Sequence, residues 1–506
     1  MLCAHHPTCP GCPLLDLEYP VQLQRKHARL AAAFAHYPHL PAIPPVEGAT
    51  FTEGYRHRLK LPVSITDDHV SIGLYERTGG KILDTPDCPV LVEGLRAALP
   101  PILSWLRQKR GVHSLDLRLS QANGHLQAVF ACENGELPGG GKAARALMHA
   151  VPGLRSVAVS RAESDGKRVM GAGAEIVAGQ PVLEETIGTT RYHLHPGAFF
   201  QVDPRQAVRI HALVREYVGS SPRVLDLYSG VGAYALMLAV GRERVVAVEE
   251  LPAAARAAKE MAPENVEIIN RRVEDLNLEG KFDAVVINPA RRGADPETLI
   301  RISRIASRLV YVSCGPESLA RDLDCLAAHG MRATAISPVD LFPQTGEVET
   351  VVLLEKAPPL SEWSVPGGKA VGPWGAAPSG AKGRPTRVVV MVVGDPGQAG
   401  AVPGGKWRRV GMVATHAVLR LDLDGPMIPA LAGLARAGHP VAGRDPRTRR
   451  FFSEKAGLVR PFVHVEEAGK VRVPLHGDLV QALETLGAGA KVLARVSGRS
   501  GPPAPD

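Results

Sequence analysis

Between Arg223 and Lys356 this 506-residue chain alternates short apolar runs with helix-like stretches, and no other feature restricts its fold as strongly. The runs RVLDLYSG, RVVAVEE, NVEIIN, FDAVVINP, RLVYVSC and ETVVLLEK are nearly continuous in apolar residues, as strands covered on both faces must be. PAAARAAKEMA, PETLIRISRIAS and PESLARDLDCLAAHG lie between several of them and read as helices. Strand and helix alternating in this way predict an α/β domain with a doubly wound parallel sheet. Ligands of such sheets bind at the carboxyl ends of the strands, which directs attention to the residues that follow each run.

The remaining chain divides by composition. Residues 1–90 hold four of the seven cysteines, and 91–190 contain the alternating runs HSLDLRLS and HLQAVFAC, which predict strands in a mixed α/β region. The α/β domain occupies 191–356. Residues 357–386 are rich in Pro, Gly and Ala and predict a flexible linker, a further module runs over 387–496, and 497–506 form a tail expected to be disordered. No internal repeat is evident. The length allows two to four domains, each able to bury its own core without disulfides. No basic, apolar and small-residue leader precedes the cysteines, so a reduced, cytoplasmic protein is expected. No apolar run is long enough to span a bilayer. The 59 Lys plus Arg against 51 Asp plus Glu suit a polyanionic partner without demanding one, and at 5% aromatic residues no extended base-stacking platform is evident.

In RVLDLYSGVGAY the strand leads into Gly230 and Gly232, where missing side chains let the backbone approach a ligand. The next strand, VVAVE, ends in Glu249, where a carboxylate can accept hydrogen bonds from both ribose hydroxyls. Together they indicate an adenosine-containing cofactor. Ala235 takes the last place of a Gly-x-Gly-x-x-Gly pattern, a permitted substitution, so spacing alone does not exclude NAD. Cys314 ends VYVSC: a thiol at a strand end suits covalent catalysis, and a small buried packing residue explains it too. Cys3, Cys9 and Cys12 form C-x5-C-x2-C, with Cys88 as a distant fourth thiol. Such a set can close a zinc site or hold an iron–sulfur cube, which spacing does not separate. Cys132 and Cys325 read as packing residues. The cations of QLQRKHARL and of YRHR, at Arg56 and Arg58, are candidates to neutralise phosphates, although a solvated helix face explains the first equally well.

With these motifs assembled, the first 356 residues resemble the RNA uridine-5-methyltransferases, which are class I S-adenosylmethionine-dependent enzymes. Within them the similarity is to the ribosomal-RNA branch that carries an iron–sulfur cluster and lacks a TRAM domain. The resemblance rests on FFQVDP at 199–204, DLYSGVG at 226–232, NPARRG at 288–293, SCGPESLARDL at 313–323 and LFPQTGEVE at 341–349, in that order. It implies that Gln201, Tyr228, the Gly230–Gly232 loop, Glu249 and Asn288 contact S-adenosylmethionine, that Cys314 is the nucleophile and that Glu349 is the base. It also implies a four-iron, four-sulfur cluster on Cys3, Cys9, Cys12 and Cys88, with zinc as the alternative.

The implied reaction is formation of 5-methyluridine in 23S rRNA by a monomer that binds RNA and no membrane. A tRNA substrate and a non-catalytic RNA-binding or ribosome-assembly factor are the alternatives. Carbon 5 of uracil is a poor nucleophile, and thiolate addition at carbon 6 activates it, which is why the family needs a cysteine. Gly315 stands where Asn usually follows that cysteine, Glu347 where His is frequent, Ala233 where a polar residue is frequent and Asn288 where many members have Asp. Residues 409–486 resemble the carboxyl half of large-family pseudouridine synthases without the half that bears the catalytic aspartate. RLDLDG at 420–425 imitates that motif, but Asp422 matches a later strand, so this module is expected to be catalytically silent, with RTRRFF at 447–452 a candidate RNA contact.

Overall fold

The computed structural model describes residues 3–357 except 35–39, 77–79, 163–172, 277–279 and 281. Beyond them it describes 363–364, 370–371, 385–393, 395–402, 405–413, 416–423, 434, 463–468, 471–472 and 483. After a cysteine-bearing loop, helix α1 (Tyr19–Phe34) leads to a first sheet. Its strands are β1 (Arg58–Ile65), β2 (Val70–Ile72), β3 (Val112–Leu119), β4 (Leu126–Cys132), β5 (Leu154–Arg161) and β6 (Glu175–Gly179), ordered β2-β1-β3-β4-β5-β6. Only β4 and β5 run parallel. Helices α2 (Glu93–Leu106) and α3 (Gly140–Ala150) bury Leu95, Leu99, Ile102 and Leu147 with Leu115, Leu117 and Phe130 of this sheet. Strands on both sides of residue 90 share it, so the sheet has no break at that point. The hairpin β7 (Leu183–Ile187) and β8 (Thr190–Leu194) packs instead with Phe200 and Val231 of the following domain.

That domain contains α4 (Pro204–Val218), β9 (Arg223–Leu227), α5 (Ala233–Leu238), β10 (Arg244–Glu249), α6 (Pro252–Met261), β11 (Val266–Asn270), β12 (Ala284–Ile287), α7 (Pro296–Ile305), β13 (Arg308–Ser313), α8 (Pro316–Ala328), β14 (Met331–Val339) and β15 (Glu349–Lys356). The strand order is β11-β10-β9-β12-β13-β15-β14. Successive side chains point to opposite faces of a strand. Leu225, Val285, Ile287, Leu309 and Tyr311 accordingly pack in one core with α7 and α8, while Val224, Val286, Val310 and Val312 pack in another with α4 and α5. The six apolar runs are strands as expected, and a seventh, β14, joins them. The sheet is not wholly parallel: β15 runs antiparallel to both β13 and β14. This is the class I methyltransferase fold.

In the Pro- and Gly-rich stretch, β16 (Trp363–Ser364) pairs with β17 (Ala370–Val371), while most of that segment lies outside the described residues, as does 497–506. Strands β18 (Pro385–Val393), β19 (Ala399–Val402), β20 (Gly405–Val413), β21 (His416–Leu423), β22 (Val463–Ala468) and β23 (Val471–Arg472) form an antiparallel sheet ordered β19-β20-β21-β18-β22-β23. Asp422 is exposed on β21 between buried Leu421 and Leu423, and RTRRFF lies outside the described residues. Among the described residues no helix is long and apolar enough to cross a membrane.

The amino-terminal helix is fastened to the loop between β14 and β15. Lys26 and Asp340 are fully buried, with Nζ 2.6 Å from Oδ1, and Lys26 also donates to the carbonyl of Phe342 at 2.9 Å. Tyr19 donates to the other oxygen of Asp340 at 3.0 Å. The polar face of QLQRKHARL is therefore turned, at Lys26, onto the catalytic domain rather than toward a phosphate. Leaving a buried charge without its partner costs about 3–5 kcal/mol. Lys26→Met should therefore lower the unfolding free energy by about 3 kcal/mol in denaturant titration. Arg209→Ala, which removes an exposed pair with Glu47, should cost no more than about 1 kcal/mol.

Candidate active site

The sheet gathers the predicted residues at one edge. Tyr228 follows β9, Glu249 ends β10, Asn288 follows β12 and Cys314 follows β13, all at carboxyl ends of parallel strands. Because β15 runs the other way, its first residue, Glu349, reaches the same edge: Thr350 is in register with Ser313, and Glu349 with Val339. Gln201 is half-buried just ahead of Asp203, which caps α4 by accepting from the Arg205 amide at 3.1 Å.

At the glycine loop, Tyr228, Gly230 and Gly232 all take positive φ (61°, 59° and 76°). A Cβ on Gly230 would find no atom within 4 Å, so the space above this loop is open, whereas one on Gly232 would meet Ala258 at 3.2 Å. Glu249 is buried and accepts from the Gly230 amide through Oε2 and from the Leu251 amide through Oε1, each at 2.8 Å. Each carboxylate oxygen retains a lone pair for a ligand hydroxyl. Asp226, also buried, accepts from the Ala235 amide at 2.9 Å and fixes the start of α5; burial pushes its carboxyl up to about 8. Tyr228 donates to Glu274 at 3.2 Å, a carboxylate that sequence reasoning did not single out. The departure at Ala233 leaves the backbone in use, since its carbonyl accepts from Tyr192 at 2.9 Å. The open cradle over Gly230 and the available lone pairs of Glu249 fit the adenosine portion of S-adenosylmethionine.

Cys314 is half-buried between β13 and the start of α8. Burial raises its thiol pKa, the nearby Glu349 raises it further, and Arg291 opposes both by charge and hydrogen bonding. Glu349 is buried, and this pushes its carboxyl up to about 7, with Arg291 pulling down and Glu347 pushing up. Arg291, in the motif NPARRG, thus faces both groups, and its Nη1 also lies 3.1 Å from Glu347. Sequence reasoning passed over it. The available signal was a cation in the loop after a strand whose neighbours all end in site residues.

A thiol and a buried carboxyl near neutrality beside a guanidinium are equipped for nucleophilic attack and proton removal. Gly315 has a structural cause: a Cβ there would lie 2.7 Å from Ser318 Oγ and 3.0 Å from the Arg291 carbonyl. Ser318 donates to that same carbonyl at 2.7 Å, holding the Arg291 loop against α8.

Arg56 and Arg58 lie beside this site without being free cations. Arg56 stacks over Tyr55 and Phe342, and Arg58 pairs with Asp116 and donates to the Ala198 carbonyl at 3.0 Å. The thiols of Cys3, Cys9, Cys12 and Cys88 share one neighbourhood. Burial pushes Cys12 up to about 12, and Cys88, Cys9 and Cys3 each add to this by charge. Four thiols gathered in one neighbourhood suit a cluster as a donor set. Among the described residues, however, no group of three or more His, Cys, Asp or Glu side chains lies at metal-holding separation. Charge coupling reaches several ångströms beyond a ligation sphere, so the thiols are neighbours without being closed on a metal centre. Cys132 and Cys325 are buried, as packing residues should be.

Fold and site together define a class I methyltransferase, and comparisons with known proteins narrow the class. Residues 264–357 match the family described as tRNA (uracil-5-)-methyltransferase. An uncharacterized RNA methyltransferase of Geobacter sulfurreducens is 31% identical over 388 residues, covering 71% of this chain and 78% of that one. Another, of Thermotoga maritima, is 28% identical over 374 residues, covering 70% and 84%. The crystal structure of Pyrococcus abyssi tRNA (uracil-54, C5)-methyltransferase in complex with S-adenosyl-L-homocysteine matches with a TM-score of 0.57 at 27% identity, covering 69% of this chain and 86% of that one. The chain belongs to the RNA (uracil-5-)-methyltransferase family.

Crowding a packed turn costs about 1–3 kcal/mol. Gly315→Ala should therefore lower the denaturant midpoint of unfolding, and an unchanged midpoint would contradict the close approach of Ser318 and the Arg291 carbonyl.

Proposed function

We propose that this protein methylates carbon 5 of a uridine in 23S rRNA through a covalent bond between Cys314 and uracil. The observation that carries the reading is the placement of Glu349, by an antiparallel strand, at the sheet edge where Cys314 follows β13. Gln201, Tyr228, Gly230, Gly232, Glu249 and Asn288 are assigned to contact the cofactor. When bound, S-adenosylmethionine supplies an activated methyl group. Cys314, as thiolate, adds to carbon 6 of the uracil, and carbon 5 gains the electron density it needs to be methylated. Glu349 then takes the proton from carbon 5, the carbon–sulfur bond breaks, and Cys314 leaves as thiolate. Arg291 is the cation that favours the ionised thiol.

The ribosomal substrate is supported by the motif set, Asn288 included, and by the amino-terminal thiols, which we assign to a four-iron, four-sulfur cluster on Cys3, Cys9, Cys12 and Cys88. Zinc is the rival occupant, and iron and zinc analysis of anaerobically purified protein decides between them. A tRNA substrate is the second reading, favoured by the similarity to a tRNA methyltransferase structure. The carboxyl-terminal sheet is assigned an RNA-docking role without catalysis, and the protein is assigned to the cytoplasm as a monomer.

Labelled S-adenosylmethionine incubated with unmodified 23S rRNA or tRNA, followed by mapping of 5-methyluridine, identifies the substrate. Cys314→Ala should abolish incorporation, and incorporation into neither RNA would defeat the reading. The pH dependence follows from Glu349. Its raised carboxyl must ionise to act as a base, so the active form grows as pH rises through about 7. Single-turnover resolution of the adduct should gain about tenfold per pH unit below that point and level off above it. A flat profile from about pH 5.5 to 8.5 would remove Glu349 from the role of base.

A further inference from the structure

Glu347 stands two residues before Glu349 and is the meeting point of two cations from distant parts of the chain. Its Oε1 lies 3.1 Å from Arg291 Nη1 and its Oε2 3.6 Å from Arg29 Nη1. Arg29, on α1, is itself anchored: Nε and Nη2 each donate to a different oxygen of Glu317 at 3.0 Å, and Nη1 donates to the Gly346 carbonyl at 2.8 Å. Glu317 sits in the first turn of α8, the helix that begins two residues after Cys314. Charges of alternating sign therefore run from α8 to α1, to the β14–β15 loop and to the Arg291 loop, ending at the thiol.

We propose that Glu347, held by Arg29, is a positioning residue that competes with the Cys314 thiol for the Arg291 guanidinium, so that helix α1 sets the reactivity of the nucleophile. The proposal deepens the methyl-transfer reading and rests on it for the role of Cys314. Glu347 Oε2 is buried with no hydrogen-bond partner, which makes the nearby Arg29 its principal countercharge. Lys26 also faces Glu347 electrostatically, but its ammonium is committed to Asp340. Besides these, the groups facing the ladder are Glu317 of α8, Arg291, Glu349 of β15 and Cys314. Electrostatics agree with the geometry: Glu347 raises both the thiol and the Glu349 carboxyl, and Arg291 lowers both.

The ladder has a sign. Neutralising Glu347 removes a carboxylate that disfavours the thiolate and releases Arg291 toward it, two effects in one direction. Neutralising Arg29 leaves Glu347 less compensated and acts in the other direction.

The test is the rate of Cys314 modification by iodoacetamide as a function of pH, followed by peptide mass spectrometry on the full chain, with no RNA present. Glu347→Gln should move the curve to lower pH by about one unit. Arg29→Gln should move it to higher pH, and Arg29→Lys, which keeps the charge, should restore it. The double variant should follow Glu347→Gln, because Arg29 acts through that carboxylate. A Glu347→Gln curve that stays in place or moves to higher pH would overturn the proposal, as would a double variant equal to the sum of the two singles. The two failures are separable: methyl transfer that survives Cys314→Ala would sink the nucleophile reading, whereas unmoved alkylation curves with Cys314-dependent transfer would sink the ladder alone.

Discussion

The insertion of β15 between β13 and β14, antiparallel to both, is the constraint on which the site depends. In a wholly parallel sheet only residues at strand ends reach the ligand edge, so the beginning of a strand lies at the far side. Reversal of one strand brings its first residue, Glu349, to the edge occupied by Cys314. The same insertion buries Glu349, and burial raises its pKa toward neutrality. Direction of the strand and chemistry of the carboxyl thus have a single cause. The buried location costs folding stability whenever the group is ionised. That contribution is fully favourable only below the usual carboxyl range and is lost as pH rises through about 7.

An antiparallel pair such as β14 and β15 can be joined by a two-residue turn, yet residues 340–348 form a longer loop, whose shape is imposed by the amino-terminal region. Gln344 adopts a φ of 68°, which non-glycine residues rarely adopt. Its amide donates to the Gln22 side chain at 2.9 Å, and its own side chain accepts from Gln22 at 2.8 Å. Its carbonyl accepts from the Leu14 amide at 3.0 Å. Tyr55 donates to the carbonyl of Pro343 at 3.0 Å. With Lys26 on Asp340 and Arg29 on Gly346 and Glu347, the segment before β1 is structurally part of the catalytic domain. Because Cys12 lies two residues before Leu14, whose amide is bonded to Gln344, the cysteine-bearing segment is tied directly to the loop that leads into Glu349.

Much of the catalytic domain was legible. Continuous apolar runs marked six of its seven strands, and helix-like spacing marked α6, α7 and α8. The seventh strand, MRATAISPV, mixes polar and apolar residues and carries Pro338, as an edge strand can, and so lacks the buried-strand pattern. Reversal of β15 was not legible, because an apolar run reads the same in either direction. Within the site, the glycine loop, Glu249, Cys314 and Glu349 announced themselves by spacing or by family motif. Arg291, Arg29 and Lys26 did not, since an arginine in a loop or a lysine on a polar helix face predicts a phosphate contact or solvent as readily as an internal ion pair. Gly315 read only as a departure; the 2.7 Å approach of Ser318 Oγ to its absent Cβ supplies the reason.

The proposed chemistry requires that Cys314 bond to carbon 6 of the target uracil and that Glu349 free it. The most direct measurement is a denaturing gel of Glu349→Gln incubated with S-adenosylmethionine and substrate RNA, with the joined peptide and nucleotide sequenced by mass spectrometry. The expected product is a stable protein–RNA species in which a methylated uracil is attached at Cys314. Attachment at another residue, or normal turnover by Glu349→Gln with no trapped species, would contradict it.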